Sequence, residues 1–216
     1  MIRKLFTNPG RTMSGAIALC RGQWYRLKYR ALGRRFRAGR NFRVYGKLDV
    51  RGPGEVVFGD NVAVIEHSRP WTYTRQARIV VGDNVLIGST RFGCAQEIVV
   101  GEWCQLAESY IMDTDFHRVE SDRRTSSLPP RVAPVRIGSN VWIAHYVGVL
   151  PGARIGDNSV VSFGSVCSRE YPPNVILIGN PAKVAAPVPG APAPATVTAG
   201  APSVERSAPA HPTVLA

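Results

Sequence analysis

Apolar positions in the C-terminal half of the chain recur every six residues. Written from Ile137, the stretch reads IGSNVW, IAHYVG, VLPGAR, IGDNSV, VSFGSV, and every block opens on an aliphatic residue: Ile137, Ile143, Val149, Ile155 and Val161. Two places before each opener stands a small or β-branched residue: Val135, Val141, Val147, Ala153 and Ser159. A helix has a period near 3.6 and a simple strand a period of 2, so neither accounts for a spacing of six. One short strand followed by one turn does. The opener then points inward, and the Gly, Asn and Asp that follow accept turn dihedrals that a β-branched residue resists. Three blocks close one coil, and stacked coils pair each other's backbone groups while burying a shared apolar row.

Earlier segments repeat the pattern more loosely. FGDNVAVIEH (58–67) and VGDNVLIGST (81–90) are in register, RPWTYTRQAR (69–78) interrupts, and VGEWCQLAESYIMDTDFH (100–117) resumes. The same GDN turn stands at 59, 82 and 156. Residues 41–57, punctuated by Gly46, Gly52, Pro53 and Gly54, predict an irregular first coil. Residues 118–134 lack the period and contain Pro, which predicts an excursion between coils. Such an insertion in a repeat scaffold is where a site is commonly built. The spacing predicts a helix over 12–38, with Ile17, Cys20, Trp24, Leu27 and Ala31 on one side and basic residues along both edges. That helix either rests on anionic lipid or docks on the β-structure with a solvated basic face. The chain thus divides into a basic N-terminal helical segment (1–40), a repeat domain (41–184) and a Pro/Ala-rich tail (185–216). The tail is expected to be disordered for want of large apolar residues.

Charge changes the picture mainly at the N-terminus. Of the 27 Lys and Arg, eleven lie in residues 1–40, which hold no Asp or Glu, leaving 16 basic against 15 acidic residues in the rest. A nearly neutral body argues against a nucleic-acid surface. Four scattered cysteines (Cys20, Cys94, Cys104, Cys167) form no CxxC pair, which disfavours a zinc ribbon or a disulfide framework and points to a reducing compartment. No apolar run approaches a membrane span, and Ser14–Cys20 is too short for a signal-peptide core. The expected location is cytoplasmic, with a peripheral position on the inner face of the membrane if the helix meets lipid.

The residue best suited to proton transfer is His117, at the end of MDTDFH (112–117) where the excursion begins; Asp113 and Asp115 are near enough in sequence to orient it. Taken alone, a single loop histidine is more often a surface residue. The segment IGSNVWIAHYVGVLPGARIGDNSVVSFGSVCSREYPPNVILIGNPAKV (137–184), together with MDTDFH, resembles the hexapeptide-repeat acyltransferases. The sugar and polysaccharide O-acetyltransferases are the most similar group.

That resemblance implies an all-β, left-handed parallel β-helix, a homotrimer, and transfer of an acetyl group from acetyl-CoA without a metal. It implies His117 as general base, and His145, Phe163, Ser168, Arg169 and Lys183 along the coenzyme A arm. Asp115 and Trp142 fall on the acceptor side. Two departures stand out: His145 occupies a position where relatives carry a small residue, and Ala186 replaces a basic residue frequent three places after the lysine. The leading expectation is O-acetylation of a sugar in a surface polysaccharide or its lipid-linked precursor. N-acylation of an amino-sugar nucleotide and a non-catalytic β-helix scaffold are the alternatives. A γ-type carbonic anhydrase on the same scaffold is disfavoured, because it needs two histidine ligands close in sequence, none follows His117 nearby, and position 122 is Asp.

Overall fold

The computed structural model describes residues 9–125 and 127–192, with side chains from Met13 onward. A helix, Pro9–Ala31, leads into a three-sided parallel β-helix, the fold class that the six-residue period predicts. The first face stacks Arg35–Ala38, Glu55–Phe58, Arg78–Val81, Glu97–Val100, Val135–Ile137, Arg154–Ile155 and Glu170–Tyr171. The second stacks Arg43–Val44, Ala63–Val64, Leu86–Ile87, Gln105–Leu106, Trp142–Ile143, Val160–Val161 and Val175–Ile178. The third stacks Lys47–Leu48, His67–Thr72, Thr90–Cys94, Ser109–Met112, Val147–Val149 and Val166–Cys167.

Both residue sets singled out by the period face inward. All five openers and all five residues two places before them are buried. In the N-terminal coils the interior is filled by Phe36, Phe42 and Phe58, whose ring centroids lie 5.6–5.9 Å apart. Between the first and second faces the chain turns on a left-handed residue in every coil: Asn41, Asn61, Asn84, Trp103, Asn140, Asn158 and Asn174 all have φ between 53° and 64°. Asparagine tolerates this conformation better than other non-glycine residues. It also donates along the stack, Asn41 to Asn61 at 3.0 Å, Asn61 to Asn84 at 2.9 Å, Asn140 to Asn158 and Asn158 to Asn174 at 3.0 Å. Trp103, 60 % exposed, breaks this ladder in the middle.

The helix closes the open edge of the first coil. Ala18, Gly22, Tyr25 and Tyr29 are buried against it, at helical spacing. A Cβ on Gly22 would stand 2.1 Å from the Phe42 carbonyl oxygen, so this close approach requires glycine. Side chains then serve the backbone groups that a further coil would otherwise pair. The Tyr29 hydroxyl donates to Leu48 O at 2.7 Å and accepts from Val50 N at 2.9 Å. Arg26 donates to Ala38 O at 2.6 Å and Arg34 to Gly52 O at 2.8 Å, while Arg21 donates to the carbonyls of Tyr45 and Gly46.

Several boundaries differ from the sequence expectation. The helix ends at Ala31, not at 38, because Gly33 takes φ 64° and the N–H of Arg34 returns to Tyr29 O in a left-handed cap. Arg35–Ala38 is already the first strand, with Phe36 inward. The β-helix therefore begins before residue 41. The stripe Ile17, Cys20, Trp24, Leu27, Ala31 is not the docking face; all five residues are exposed, and the neighbouring tyrosine stripe docks instead. The interruption over 69–78 is shorter than expected, since His67–Thr72 is a regular strand and only the corner after it is irregular. At the other end, Lys183–Pro187 folds back antiparallel on Val175–Ile178, so residues 185–187 are strand and not tail. Residues 188–192 continue from it in a turn, Ala191 N donating to Val188 O at 3.1 Å, and 193–216, the remainder of the expected tail, lie outside the described residues.

Candidate functional site

The excursion leaves the corner between the third and first faces and is pinched at its neck. Thr114 and Val132 form an antiparallel bridge, Asp115 N donates to Arg131 O at 3.2 Å, and Ala133 N donates to Asp113 O at 2.8 Å. His117 stands just beyond the neck, exposed. Its approach is a tight turn: Phe116 N donates to the Thr114 hydroxyl at 3.2 Å, Phe116 takes φ 60°, and His117 N donates to Asp115 O at 2.7 Å.

The two aspartates considered for orienting His117 have different surroundings. Asp113 is fully buried and its carboxylate accepts from the backbone N–H of Ala95 at 2.7 Å, Gln96 at 2.8 Å and Glu97 at 2.7 Å, and from the Cys94 thiol at 3.3 Å. It is committed to the corner of the coil above and holds the neck in place. Asp115 is half-buried in the neck itself, two residues from His117.

Beside the neck, the outer surface of the third face forms a groove of about 500 Å³. Phe116 belongs to its wall. Its ring meets Tyr73 edge-on at 5.1 Å and lies over Gly93, where a Cβ would stand 2.6 Å from the ring. Tyr73 in turn stacks on Trp71 at 5.1 Å. Basic side chains and Tyr110 line the rest. Sequence reasoning missed this groove because 69–78 read as an interruption; the alternation His67, Arg69, Trp71 was the available signal for three outward side chains on one strand.

The remaining expected site residues fall into separate groups. Ser168, Arg169 and Lys183 gather near the C-terminal end of the third face. Ser168 N donates to the Tyr171 hydroxyl at 3.3 Å, that hydroxyl donates to Ala182 O at 3.4 Å, and Ala182 N donates to Val166 O at 2.8 Å. Arg169 and Lys183 are exposed and form no ion pair among the described residues, so both cations are open to a phosphate. His145 and Phe163, 68 % exposed, stand at the corner between the second and third faces, with Tyr146 against Phe163 at 5.2 Å. Trp142 is exposed on the second face, paired with Gln105 and Val160, and so within one chain it is on a different side from the His117 corner.

Thiol chemistry is disfavoured by burial. Desolvation pushes the Cys104 thiol up to about 11 and the Cys167 thiol up to about 12, and raises Cys94 further, with the Asp113 charge adding to it. Among the described residues no three His, Cys, Asp or Glu side chains cluster as a metal site, and no helix is long and apolar enough to cross a membrane.

Comparison with known proteins agrees with this architecture. The family described as bacterial transferase hexapeptide (six repeats) matches residues 134–169, so the chain carries that repeat, and it resembles the hexapeptide-repeat acyltransferases as its sequence indicates. A Saccharomyces cerevisiae protein provisionally named an acetyltransferase is 36% identical over 110 residues, 48% of this chain and 56% of that protein. The galactoside O-acetyltransferase of Escherichia coli K12 is 34% identical over 87 residues, 40% of this chain and 42% of the enzyme. The chain thus matches about half or less of the length of these curated relatives. Among solved structures, AntD, an N-acyltransferase from Bacillus cereus in complex with dTDP and 3-hydroxybutyryl-CoA, shares the fold with a TM-score of 0.62 at 14% identity. That match covers 75% of this chain and 87% of AntD.

Proposed function

We propose that this chain is an acetyl-CoA-dependent O-acetyltransferase acting on a hydroxyl of a sugar destined for a surface polysaccharide, with His117 as general base. The observation that carries the reading is the exposed imidazole at the pinched neck of the excursion, next to an aromatic and basic groove wide enough for a sugar. A neutral imidazole there takes the proton of the acceptor hydroxyl as its oxygen attacks the thioester carbonyl. Collapse of the tetrahedral intermediate breaks the C–S bond, and the imidazolium returns the proton to the departing thiolate. Direct transfer needs no enzyme nucleophile, in keeping with three buried cysteines whose thiols stay protonated. Acetyl-CoA supplies the acyl group as an activated thioester. Arg169 and Lys183 suit its phosphates, with His145, Phe163 and Ser168 along the remaining arm.

Asp115 and Trp142 complete the proposal on the acceptor side. Trp142 is on the second face of its own chain and His117 at the opposite corner, so a site using both is built between subunits. A homotrimer, the assembly implied by the family, supplies such a junction. Sedimentation of the intact protein tests it, and a monomer that retains full activity counts against it. A peripheral membrane contact also belongs to the reading, since Ile17, Trp24 and Leu27 are each more than half exposed on a helix without acidic residues. Co-sedimentation with vesicles of anionic lipid, lost in Trp24→Ala/Leu27→Ala, is the expected result; equal binding by the variant refutes the contact.

The chemical test follows free thiol release from acetyl-CoA with a panel of sugar acceptors. Acceptor-dependent release that falls roughly 10²-fold or more in His117→Ala supports the base. Release unchanged in that variant removes His117 from the mechanism, and failure to bind acetyl-CoA removes the reading altogether.

A further inference from the structure

On a parallel β-helix, outward side chains of successive coils stand about 4.8 Å apart, so like charges in one column repel. One outward column of the first face avoids this: Arg35, Glu55, Arg78 and Glu97 alternate in sign from coil to coil. Where that face does stack Arg136 on Arg154, Arg136 is ion-paired with Glu97. The third face stacks cations without such a partner. Arg69 is directly paired with Arg91, and Lys47 with His67, in adjacent coils. Neither Lys47, Arg69 nor Arg91 makes an ion pair among the described residues. Asp49, the one carboxylate lining the groove, is held by Arg51 at 2.8 Å. Four cations therefore face one carboxylate around the cavity.

The cations are also positioned. Arg51 lies over the Trp71 ring at 5.6 Å and Arg91 over the Tyr110 ring at 5.1 Å. Arg69 reaches the His67 ring at 3.2 Å, and partial burial together with the charges of Arg69 and Lys47 keeps that imidazole neutral at lower pH than usual. Between them, the stacked Trp71 and Tyr73 and the edge-on Phe116 offer flat apolar faces. Two guanidinium groups side by side suit the paired oxygens of a carboxylate or phosphate, and the aromatic faces suit the C–H surface of a pyranose.

We propose that this groove binds an anionic sugar, one bearing a carboxylate or a phosphate, with its charged oxygens held between Arg69 and Arg91 and its ring against Trp71 and Tyr73. The inference rests on the acyl-transfer reading only for its role, which is to deliver an acidic acceptor to His117 beside Phe116. As a binding site it stands on the groove alone.

The test uses the intact protein in calorimetric titrations with glucuronate, glucose 1-phosphate, glucose and inorganic phosphate, repeated in Arg69→Gln/Arg91→Gln. The imidazole signal of His67 is followed by NMR in parallel. At least one anionic sugar is expected to bind roughly 10-fold or more tighter than glucose, to weaken as salt is raised, and to shift the His67 signal. The double variant is expected to lose at least about 10-fold in that affinity while binding acetyl-CoA as before. The glucuronate and glucose 1-phosphate arms identify the anion as carboxylate or phosphate. Arg69→Gln alone is expected to melt no lower than the parent, because it relieves a repulsive pair. The proposal is overturned if glucose binds as tightly as the anionic sugars, or if none of the probes binds. It is equally overturned if the double variant keeps its affinity or changes its sedimenting mass instead. In the parent protein, absence of anionic-sugar binding with acetyl-CoA binding intact sinks the groove alone; the reverse sinks the acyl-transfer reading alone.

Discussion

Replacing Asp113 by alanine removes the acceptor of three backbone N–H groups and one thiol at a single fully buried position. A hydrogen bond to a charged group contributes about 1.5–3 kcal/mol, and unsatisfied buried donors cost about 1–3 kcal/mol each. A simple sum overstates the loss, since Gln96 is exposed and its corner regains water once the carboxylate is gone. About 2–4 kcal/mol is the expected destabilisation, with Asp113→Asn close behind, because its amide nitrogen turns a donor toward donors. In urea this appears as a midpoint lowered by about 1–2 M at unchanged slope. Asp115→Ala, on the half-buried neighbour, is expected to cost less than about 1 kcal/mol. The competing account makes Asp113 the group that orients His117, and it predicts native stability with depressed turnover. A midpoint shift worth less than about 1 kcal/mol, or a loss of turnover at full stability, refutes the structural role assigned to this carboxylate.

Other substitutions test other parts of the frame. Trp103→Asn replaces a left-handed aromatic by the residue that occupies the same turn in six other coils, and is expected to stabilise by about 1 kcal/mol in thermal melts; a lower melting temperature counts against the ladder argument. Tyr29→Phe strips the hydroxyl that serves Leu48 O and Val50 N, at an expected cost of about 1–3 kcal/mol in the same assay. Gly93→Ala drives a methyl into the Phe116 ring, and kcat/KM is expected to fall roughly 10-fold or more with little change in melting. His67 has a folded-state pKa below its ordinary value of 6.5, chiefly through desolvation and then Arg69 and Lys47. Its penalty is absent above pH 6.5 and grows as pH falls from there to the lower folded value, so Arg69→Gln should flatten the stability profile in that window.

The repeat domain was legible because its signal is one-dimensional. Inward positions recur at fixed spacing, and each of Ile137, Ile143, Val149, Ile155 and Val161 is buried as the spacing requires. The helix was legible as a helix but not in its orientation. Two stripes compete along it, and the more apolar one is exposed while the tyrosine stripe docks, because Tyr25 and Tyr29 can satisfy edge backbone groups that Trp24 and Leu27 cannot. The position of His117 at the start of the excursion was readable from the loss of period. The groove was not, because its walls come from three coils and a corner residue that are far apart in sequence. Asp113 looked like a partner for His117 by proximity alone; the geometry of its donors is a property of the coil above, at residues 94–97, which no local window contains.

Stacking in register makes the column, not the strand, the unit in which such a surface has to be read. At the corner, the column turns one asparagine into a ladder and makes Trp103 conspicuous as its break. On the first face it brings Arg78 against Glu55 at 3.4 Å, and Arg136 reaches Glu97 diagonally in the preceding coil. On the third face the same geometry sets Arg69 against Arg91, an arrangement that contributes nothing to folding and costs repulsion, screened only in part by the water above it. A sequence under pressure for stability alone replaces one of them with a carboxylate, as in the Arg35, Glu55, Arg78, Glu97 column of the first face. Retaining both beside stacked aromatics and the neck of the excursion makes sense when a ligand brings the missing negative charge. The stabilisation then appears on binding: the parent should gain more in melting temperature from a saturating anionic sugar than Arg69→Gln does, and equal gains would mean that the two arginines do not share the ligand.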